Sequence, residues 1–347
     1  MVVNLINHVL VLFLSHLVSS AAETDIIGLS ISLSRNNDNN IITKDNMLGE
    51  KRVRRFVSEQ NINSHHSNST TTRSTPNGIV SFVPSSGKVS VLHSFPATFF
   101  ASETVFDSKS KIYWMLVGDN LVGFNTVTNT LLPQIALDTT QCSGGSACFS
   151  ELRWDSMHQR IVAVGMGFVK PGGRIVGIDI SNGSVISLSA SFSKDCALYI
   201  ECSSFDAMKQ IFYPWLACAD APTASLYAFN LQDQSNMTVL DQWDFHAVLG
   251  PSKFVPNFGI VAVNEDNSLV HVDTTNMTNT TTLLTKTLGG IPSINGLAVA
   301  NNIAYISLVE YNKNKLAIVQ LTSSFPALIE FKNISLTINN PFTYESR

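Results

Sequence analysis

Two glutamates in the middle of the chain occupy matching sequence positions. Glu103 and Glu151 each lie four residues before the aspartate of an aromatic-Asp pair. Asn257 and Asn295 lie at comparable places in later units of a sequence repeat. Carboxylate and amide oxygens that converge on one point suit a hard cation such as Ca²⁺. We expect the four side chains to rim a solvated central channel; alternatively, Glu103 and Glu151 are ligands of a calcium site.

Other apparent catalytic motifs are incomplete. The segment 144–148 (GGSAC) lacks the final glycine of a nucleophile elbow and lies between cysteines instead of between a strand and a helix. The histidines are scattered without the spacing of metal ligands. The sequence therefore indicates no catalytic triad, and it favours a binding protein over an enzyme without deciding between them.

The cysteines indicate an oxidising compartment. Cys142 and Cys148 are six residues apart, as are Cys196 and Cys202, so two short local loops are the simplest disulfide pairing. Cys218 is then left over. A bridge from Cys202 to Cys218 across a hairpin is the alternative.

A five-residue pattern recurs along the chain and indicates the elements that would position these residues. Each copy has an aliphatic residue, two variable positions, an apolar residue and usually Asn or Asp. The copies begin at Ile79, Leu121, Ile175, Leu226, Leu269 and Leu316, and they are separated by 42, 54, 51, 43 and 47 residues. This period is the length of one four-stranded propeller blade with its loops.

An aromatic-Asp pair precedes three of the copies. The pairs are Phe106-Asp107, Trp154-Asp155 and Phe205-Asp206, and each is followed by a polar turn and an apolar strand. We predict that the aromatic residue ends an inner strand and packs between sheets, while the aspartate accepts backbone N–H bonds in the turn.

The repeat predicts an all-β, six-bladed β-propeller over residues 76–347. The copy at Ile79 has a following strand at 88–94 but no inner pair before it, whereas strand-like residues 334–338 are spare at the C-terminus. Strands from the two ends are therefore expected to complete one blade, with residues 27–33 as a second N-terminal candidate. A β-sandwich is the alternative, although it does not predict a period near 47 residues.

This layout resembles the six-bladed propeller superfamily that includes the NHL, LDL-receptor YWTD, strictosidine-synthase-like and gluconolactonase-like families. The strand Ile112-Tyr113-Trp114-Met115 is similar to the beginning of a YWTD-type I-Y-W-T-D strand. Calcium-dependent esterases and lactonases of this superfamily place Glu, Asn and Asp around the central channel. The resemblance thus implies a calcium-dependent hydrolase or lactonase as one possible function, with Glu103 and Glu151 in the channel.

The N-terminal part predicts secretion. An apolar run over 9–14 and small residues at 20–22 indicate a signal peptide, 1–22, cleaved after Ala22. Residues 23–75 are polar and of low complexity, and are expected to be disordered or a pro-segment. Within them Arg52, Arg54 and Arg55 form the R-x-R-R pattern of secretory convertases, or alternatively a solvated linker.

N-glycosylation motifs agree with secretion. Sequons begin at Asn68, Asn182, Asn236, Asn276, Asn279 and Asn333. Five of the six fall beside or inside expected inter-strand turns, where a glycan can reach solvent.

Charge and composition limit the partners. The chain has 22 basic and 26 acidic residues, a net charge of −4, and no basic stripe that would neutralise a phosphate backbone. No segment after the signal peptide reaches the length of a membrane helix. We therefore expect a monomeric, secreted glycoprotein that binds an extracellular protein or glycan and not nucleic acid; a structural matrix glycoprotein is a further alternative.

Overall fold

The computed structural model places β-strands between Thr24 and Glu345. It describes residues 24–30, 78–96, 99, 101–140, 142, 148–165, 173–192, 196–198, 202–218, 224–233, 237–242, 250–263, 268–274, 280–284, 293–310, 313–321, 327–333 and 339–345. All regular elements among these residues are β-strands. None of them forms a helix long and apolar enough to cross a membrane.

The strands form six antiparallel sheets, I to VI, each ordered from an inner to an outer strand. Sheet I contains β27 (Asn339–Glu345), β1 (Thr24–Ser30), β2 (Gly78–Val83) and β3 (Lys88–Ser94). Sheet II contains β4 (Glu103–Asp107), β5 (Ile112–Val117) and β6 (Asn120–Asn125), which pairs with both β7 (Thr130–Leu131) and β8 (Ile135–Ala136). Sheet III contains β9 (Phe149–Asp155), β10 (Arg160–Gly165), β11 (Arg174–Ile178) and β12 (Val185–Ser187).

The other three sheets follow in chain order. Sheet IV contains β14 (Ser204–Asp206), β15 (Ile211–Tyr213), β17 (Ala224–Asn230) and β18 (Met237–Gln242); in addition, β16 (Trp215–Cys218) pairs with β17, and β13 (Cys196–Leu198) pairs with β16. Sheet V contains β19 (Ser252–Val255), β20 (Gly259–Val263), β21 (Leu269–Val272) and β22 (Thr280–Leu284). Sheet VI contains β23 (Ser293–Ala300), β24 (Ile303–Glu310), β25 (Lys313–Gln320) and β26 (Ala327–Asn333).

The sheets are arranged in a ring, which confirms the all-β propeller prediction. The innermost strands meet one another, because β27 contacts β4, β4 contacts β9, β14 contacts β19, β19 contacts β23 and β23 contacts β27. The six repeat copies fall on β2, β6, β11, β17, β21 and β25, which is the third strand of every sheet. The period therefore reflects one sheet per repeat.

The apolar core lies between the sheets. Each hydrophobic cluster combines side chains from two neighbouring sheets; one, for example, packs Trp114 and Leu121 of sheet II on Phe149 and Ile161 of sheet III. On β2, Ile79 packs against sheet II, whereas Phe82 packs against sheet VI. Each sheet thus buries its two apolar faces only against its neighbours in the ring.

The ends of the chain close the ring, although not with the C-terminal residues that we predicted. β27 begins at Asn339, and the expected strand 334–338 lies outside the described residues. β1 begins three residues before its predicted position and pairs with both β2 and β27. Of the low-complexity segment 23–75, the structure describes only the residues of β1. Both ends of the chain therefore contribute a strand to sheet I.

The predicted disulfide between Cys196 and Cys202 is wrong. Cys142 pairs with Cys148 as expected, but Cys196 pairs with Cys218. The reason is the extra strand β13, which places Cys196 directly opposite Cys218 on β16. Cys202 lies outside both disulfides and is buried.

Candidate functional site

The carboxyl ends of the innermost strands carry the predicted aromatic-Asp pairs. β4, β9 and β14 each end on the aspartate of such a pair. Asp107 Oδ1 accepts bonds from the backbone N–H groups of Lys109 and Ser110, at 3.0 and 3.3 Å. Asp206 does the same for the two corresponding residues of its turn. The prediction that these carboxylates brace the tight turns is confirmed, and we call the turns 108–111, 156–159, 207–210, 256–258 and 301–302 the inner turns.

Asp155 also connects two neighbouring sheets. Its Oδ1 accepts a 2.9 Å bond from the Nε2 of Gln210 in the inner turn of sheet IV. Its Oδ2 accepts bonds from His158 and Arg160 at 2.8 and 3.0 Å. Burial opposes ionisation of Asp155, but the bonds from Gln210, His158 and Arg160 outweigh it and lower the pKa of the carboxyl group. The inner turns of sheets III and IV are therefore adjacent and held together.

A pocket of about 160 Å³ lies at these strand ends. It is lined by residues from the innermost strands of four consecutive sheets, namely Val105, Phe106, Leu152, Arg153, Trp154, Ser204, Phe205, Lys253 and Phe254. We call this cavity the axial pocket.

The residues that line the axial pocket occupy equivalent register positions on the four strands. Counted from the inner turns, the second position of each strand supplies an aromatic ring, from Phe106, Trp154, Phe205 and Phe254. The third position supplies Val105, Arg153, Ser204 and Lys253. The charged residues of the lining are thus Arg153, which is paired with Glu151, and Lys253.

Glu151 does not line the axial pocket. Its side chain is fully buried, and its Oε2 accepts bonds from the Nη2 of Arg153 at 2.9 Å and from the backbone N–H of Ser203 at 3.1 Å. The Ser203 hydroxyl donates to the same oxygen. Arg153 in turn donates to the Ser203 carbonyl oxygen. The carboxylate therefore joins sheets III and IV instead of facing the channel.

The expected equivalence of Glu103 and Glu151 is also wrong. β9 contains a β-bulge, since Arg153 is opposite Val162 whereas Ser150 is opposite Val164. Glu151 lies within this bulge and has a positive φ of 58°. Ser150 therefore takes the register position that corresponds to Glu103, which is only partly buried.

The two asparagine candidates lie in sheets V and VI, whereas the glutamates lie in sheets II and III. Asn257 lies in the exposed inner turn of sheet V with a φ of 60°. Asn295 lies on β23, at a register shift between Ile294 and Gly296. None of the four predicted channel residues is in the lining of the axial pocket. Within the described residues, no group of three or more His, Cys, Asp or Glu side chains could hold a metal ion.

Sequence reasoning missed Arg153 and Phe254 as lining residues. The sequence nevertheless contained a signal for both residues, because both lie at or next to the aromatic position of the repeated unit. Phe254 keeps the aromatic position although Val255 replaces the aspartate. Arg153 directly precedes Trp154, as Lys253 directly precedes Phe254.

Two of the six glycosylation motifs begin within the described residues. Asn182 lies exposed in the turn between β11 and β12, and Asn333 is exposed at the end of β26. Asn68, Asn236, Asn276 and Asn279 lie outside the described residues, as do the signal peptide and Arg52, Arg54 and Arg55. By the strand bounds, Asn236 falls between β17 and β18, and Asn276 and Asn279 fall between β21 and β22.

Comparison with known proteins supports the β-propeller fold and assigns the chain to no family. No protein-family model and no curated protein matches the sequence. Among solved structures, a protein assigned as TolB from Agrobacterium tumefaciens matches with 7% identity and a TM-score of 0.53, over 76% of this chain and 95% of that one. This likeness shows the fold alone, a β-propeller.

Two further structures match less well. A prolyl endopeptidase matches with 9% identity and a TM-score of 0.44, over 74% of this chain but only 41% of that chain. A chain of a mitotic checkpoint complex matches with 11% identity and a TM-score of 0.41, over 73% of this chain and 71% of that one.

Proposed function

We propose that this chain is a secreted, N-glycosylated six-bladed propeller that binds an extracellular protein through the axial pocket and the inner turns. The observation that carries this proposal is the lining of the axial pocket, which includes four aromatic residues and two basic residues from four consecutive sheets. Concave apolar sites with a few convergent polar groups are the usual form of binding sites. The buried Glu151 leaves the pocket without the carboxylate that hydrolysis was expected to use.

Six blades are supported by the way sheet I completes the ring. Sheets II to VI each come from a continuous stretch of chain, and sheet I combines strands from both ends. Its strand β2 carries the first repeat copy and packs on both neighbouring sheets. We count sheet I as the sixth blade because it has the same strand order and the same two interfaces as the other five.

Secretion is supported by the disulfides and by the position of β1. Two cysteine pairs at bonding distance indicate an oxidising, non-cytosolic environment. Cleavage after Ala22 would leave β1 intact, because that strand begins at Thr24. Three successive sheets, III, IV and V, have sequons between their third and fourth strands, where an exposed turn would accept a glycan.

The experiment uses the chain secreted from a eukaryotic host with its own leader. Intact mass before and after removal of N-glycans tests glycosylation, and immobilised panels of extracellular proteins and of glycans test binding. We expect saturable binding to a protein that is weakened in Lys253→Ala, a change at a partly exposed residue of the pocket lining, with an unchanged melting temperature. A protein that binds neither panel, or only itself, would contradict the proposal and favour a matrix glycoprotein.

The same preparation tests the calcium-dependent hydrolase. A calcium site at Glu103 and Glu151 would raise the melting temperature when Ca²⁺ is added and lower it with a chelator. We expect neither change. A shift that disappears in Glu103→Gln would favour the hydrolase over the binding protein.

A further inference from the structure

One outer strand of the ring combines a long edge with the absence of a nearby glycosylation motif. β3 of sheet I has seven residues and pairs with β2. Within the described residues, its outer edge has no other strand beside it. An unpaired edge strand is a template for pairing with another chain, and proteins usually shorten, charge or cover such edges.

The other five outer edges each have a feature that hinders such pairing. In sheet II the outer pairing is divided between β7 and β8, which have two residues each. The outer strands of sheets III to VI each have a sequon within three residues of one end, and a glycan there would keep another chain away. These four sequons begin at Asn182, Asn236, Asn279 and Asn333.

The sequon of the neighbouring sheet VI faces away from sheet I. Lys332 of β26 donates from its Nζ to the carbonyl oxygens of Pro84 and Ser85, in the turn before β3. Asn333 is the next residue on the same strand, and successive residues of a strand face opposite sides of the sheet. A glycan on Asn333 would therefore point away from β3 and leave its edge open.

The side chains of β3 suit pairing with an identical strand. Val89 and Val91 lie on one face of sheet I, where Val89 packs against sheet VI and Val91 is 45% exposed. In an antiparallel pair of two β3 strands centred on Ser90, each Val89 is opposite the Val91 of the other copy, and Lys88 is opposite Leu92. Apolar cross-strand pairs stabilise a sheet, whereas like charges directly opposite each other destabilise it. The β-bulge at Leu92 lies at the end of this pair, so the pairing uses the regular part of the strand.

The rim of sheet II adds apolar surface beside β3. The ring centroid of His93, near the end of β3, lies 5.7 Å from that of Phe124 on β6. Phe124 is opposite Leu131, which is 41% exposed, and Val127 in the turn before it is 71% exposed. The open edge of β3 is thus bordered by exposed apolar side chains.

We infer that β3 pairs antiparallel with the β3 of a second copy of this chain, about a two-fold axis at Ser90. Such a contact uses the same edge in both copies, so assembly stops at a dimer. Seven residues of strand span about 24 Å. This is a contact at the small end of the range for protein interfaces, and the dimer is expected to dissociate on dilution. The inference goes beyond the proposed function, of which it uses only the glycosylation, and it replaces the monomer expected from the sequence.

Sedimentation velocity of the secreted protein over a range of concentrations tests the dimer. Val91→Lys places a charge opposite Val89 twice in each dimer, so it is expected to weaken association about tenfold or more. The matched control is Ile186→Lys, because Ile186 is 53% exposed on β12, the outer strand of sheet III. It is expected to change association by less than about twofold. A wild-type protein that is monomeric at every concentration, or equal weakening by the two variants, would overturn the inference.

A cysteine substitution tests the register independently of Val91→Lys. In the two-fold pair the two Ser90 residues are opposite each other, and the Cα separation of about 4.5–5.5 Å across such a pair suits a disulfide. Ser90→Cys should therefore give a covalent dimer on a non-reducing gel. Ser187→Cys, on the exposed part of β12, should not. Covalent dimers in both variants, or in neither, would overturn the pairing.

Hydrogen exchange identifies any other occupant of the edge. The backbone amides of 88–92 should exchange slowly in the dimer and faster after dilution. Slow exchange in a monomer would show that another segment of the same chain covers β3, and protection only with a bound panel protein would show a different partner. Either result would overturn the inference.

The outcomes separate this inference from the proposed function. A monomeric protein that is glycosylated and binds an extracellular protein from the panel retains the proposed function and overturns the dimer. A β3 dimer that binds no other protein retains the inference and overturns the proposed function.

Discussion

The carboxylate of Glu151 in sheet III accepts a 3.1 Å hydrogen bond from the backbone N–H of Ser203, just before the first strand of sheet IV. Arg153 lies between the same two groups and donates to both the carboxylate and the Ser203 carbonyl oxygen. A buried carboxylate is tolerated only when a cation and hydrogen-bond donors compensate for the lost water. The arrangement therefore makes one charge pair part of the contact between two blades.

Replacing Glu151 is expected to destabilise the ring strongly. Glu151→Gln leaves the Arg153 guanidinium without its counter-charge at a site where that side chain is only 14% exposed. Breaking a buried pair in this way costs about 3 kcal/mol. Chemical denaturation of the secreted protein measures the change in the free energy of unfolding.

The matched control is Glu330→Gln. Glu330 also precedes a cation by two residues on one strand and contacts Lys332 at 3.4 Å, but its side chain is 49% exposed. Removing such a surface pair costs less than about 1 kcal/mol. Similar decreases in the free energy of unfolding of the two variants would refute the structural role of Glu151. An increase in the free energy of unfolding of Glu151→Gln in calcium-free buffer would instead favour a metal site.

The repeat could be predicted from the sequence because it reflects burial on both faces of one strand. The third strand of each sheet lies between two neighbouring sheets, so its apolar residues recur in every copy; Leu121 and Leu316, for example, are both fully buried. The aromatic-Asp pairs were visible for a related reason. A tight turn needs a local acceptor for its backbone N–H groups, and Asp107 supplies one two residues before the first donor.

The candidate site could not be predicted to the same degree because a bulge leaves no clear sequence signal. One extra residue in β9 removes Glu151 from the position of Glu103, although both are four residues before an aspartate. The disulfide error has a similar origin. The strand β13 lies outside the repeat, so the spacing of the cysteines did not show that Cys196 faces Cys218.

Stability is expected to fall in acid, in part because Asp155 must be protonated. Its pKa lies below the ordinary value of about 3.9, so the carboxylate stabilises the fold above that pH and the contribution is lost as pH falls through the lowered pKa. Asp155→Asn should lower the free energy of unfolding by about 2 kcal/mol at pH 7, because buried hydrogen-bond donors lose their carboxylate acceptor. The difference in the free energy of unfolding between Asp155→Asn and the wild type should become smaller as the pH is lowered towards 3.

Denaturation curves at several pH values measure this difference, and Asp119→Asn, on an exposed turn between β5 and β6, is the control for losing one carboxylate. A deficit of Asp155→Asn that stays constant down to pH 3 would show that the ionised form of Asp155 does not stabilise the fold.

The disulfide between Cys196 and Cys218 is expected to be detectable by peptide mapping. Digestion with trypsin and a glutamate-specific protease separates Cys196 from Cys202, because Glu201 lies between them. The unreduced digest should contain Cys196 linked to Cys218, and Cys202 should be alkylated only after denaturation because it is buried. Cys196→Ala should lower the free energy of unfolding by about 3 kcal/mol for a loop of this length. A link between Cys202 and Cys218 would show that the pairing is wrong.

Cleavage after Arg55 is expected to leave β1 in the ring. The R-x-R-R pattern lies between β1 and β2, and all five cysteines lie after β2, so no disulfide could retain the cut N-terminal fragment. The backbone pairs of β1 with β2 on one side and with β27 on the other would hold it instead. Protein digested with a furin-type protease should elute as one species in native buffer and as two in denaturant, whereas the variant with Arg52, Arg54 and Arg55 changed to Ala should stay intact. If the fragment separates in native buffer and the remainder keeps its melting temperature, β1 is not an integral strand of sheet I.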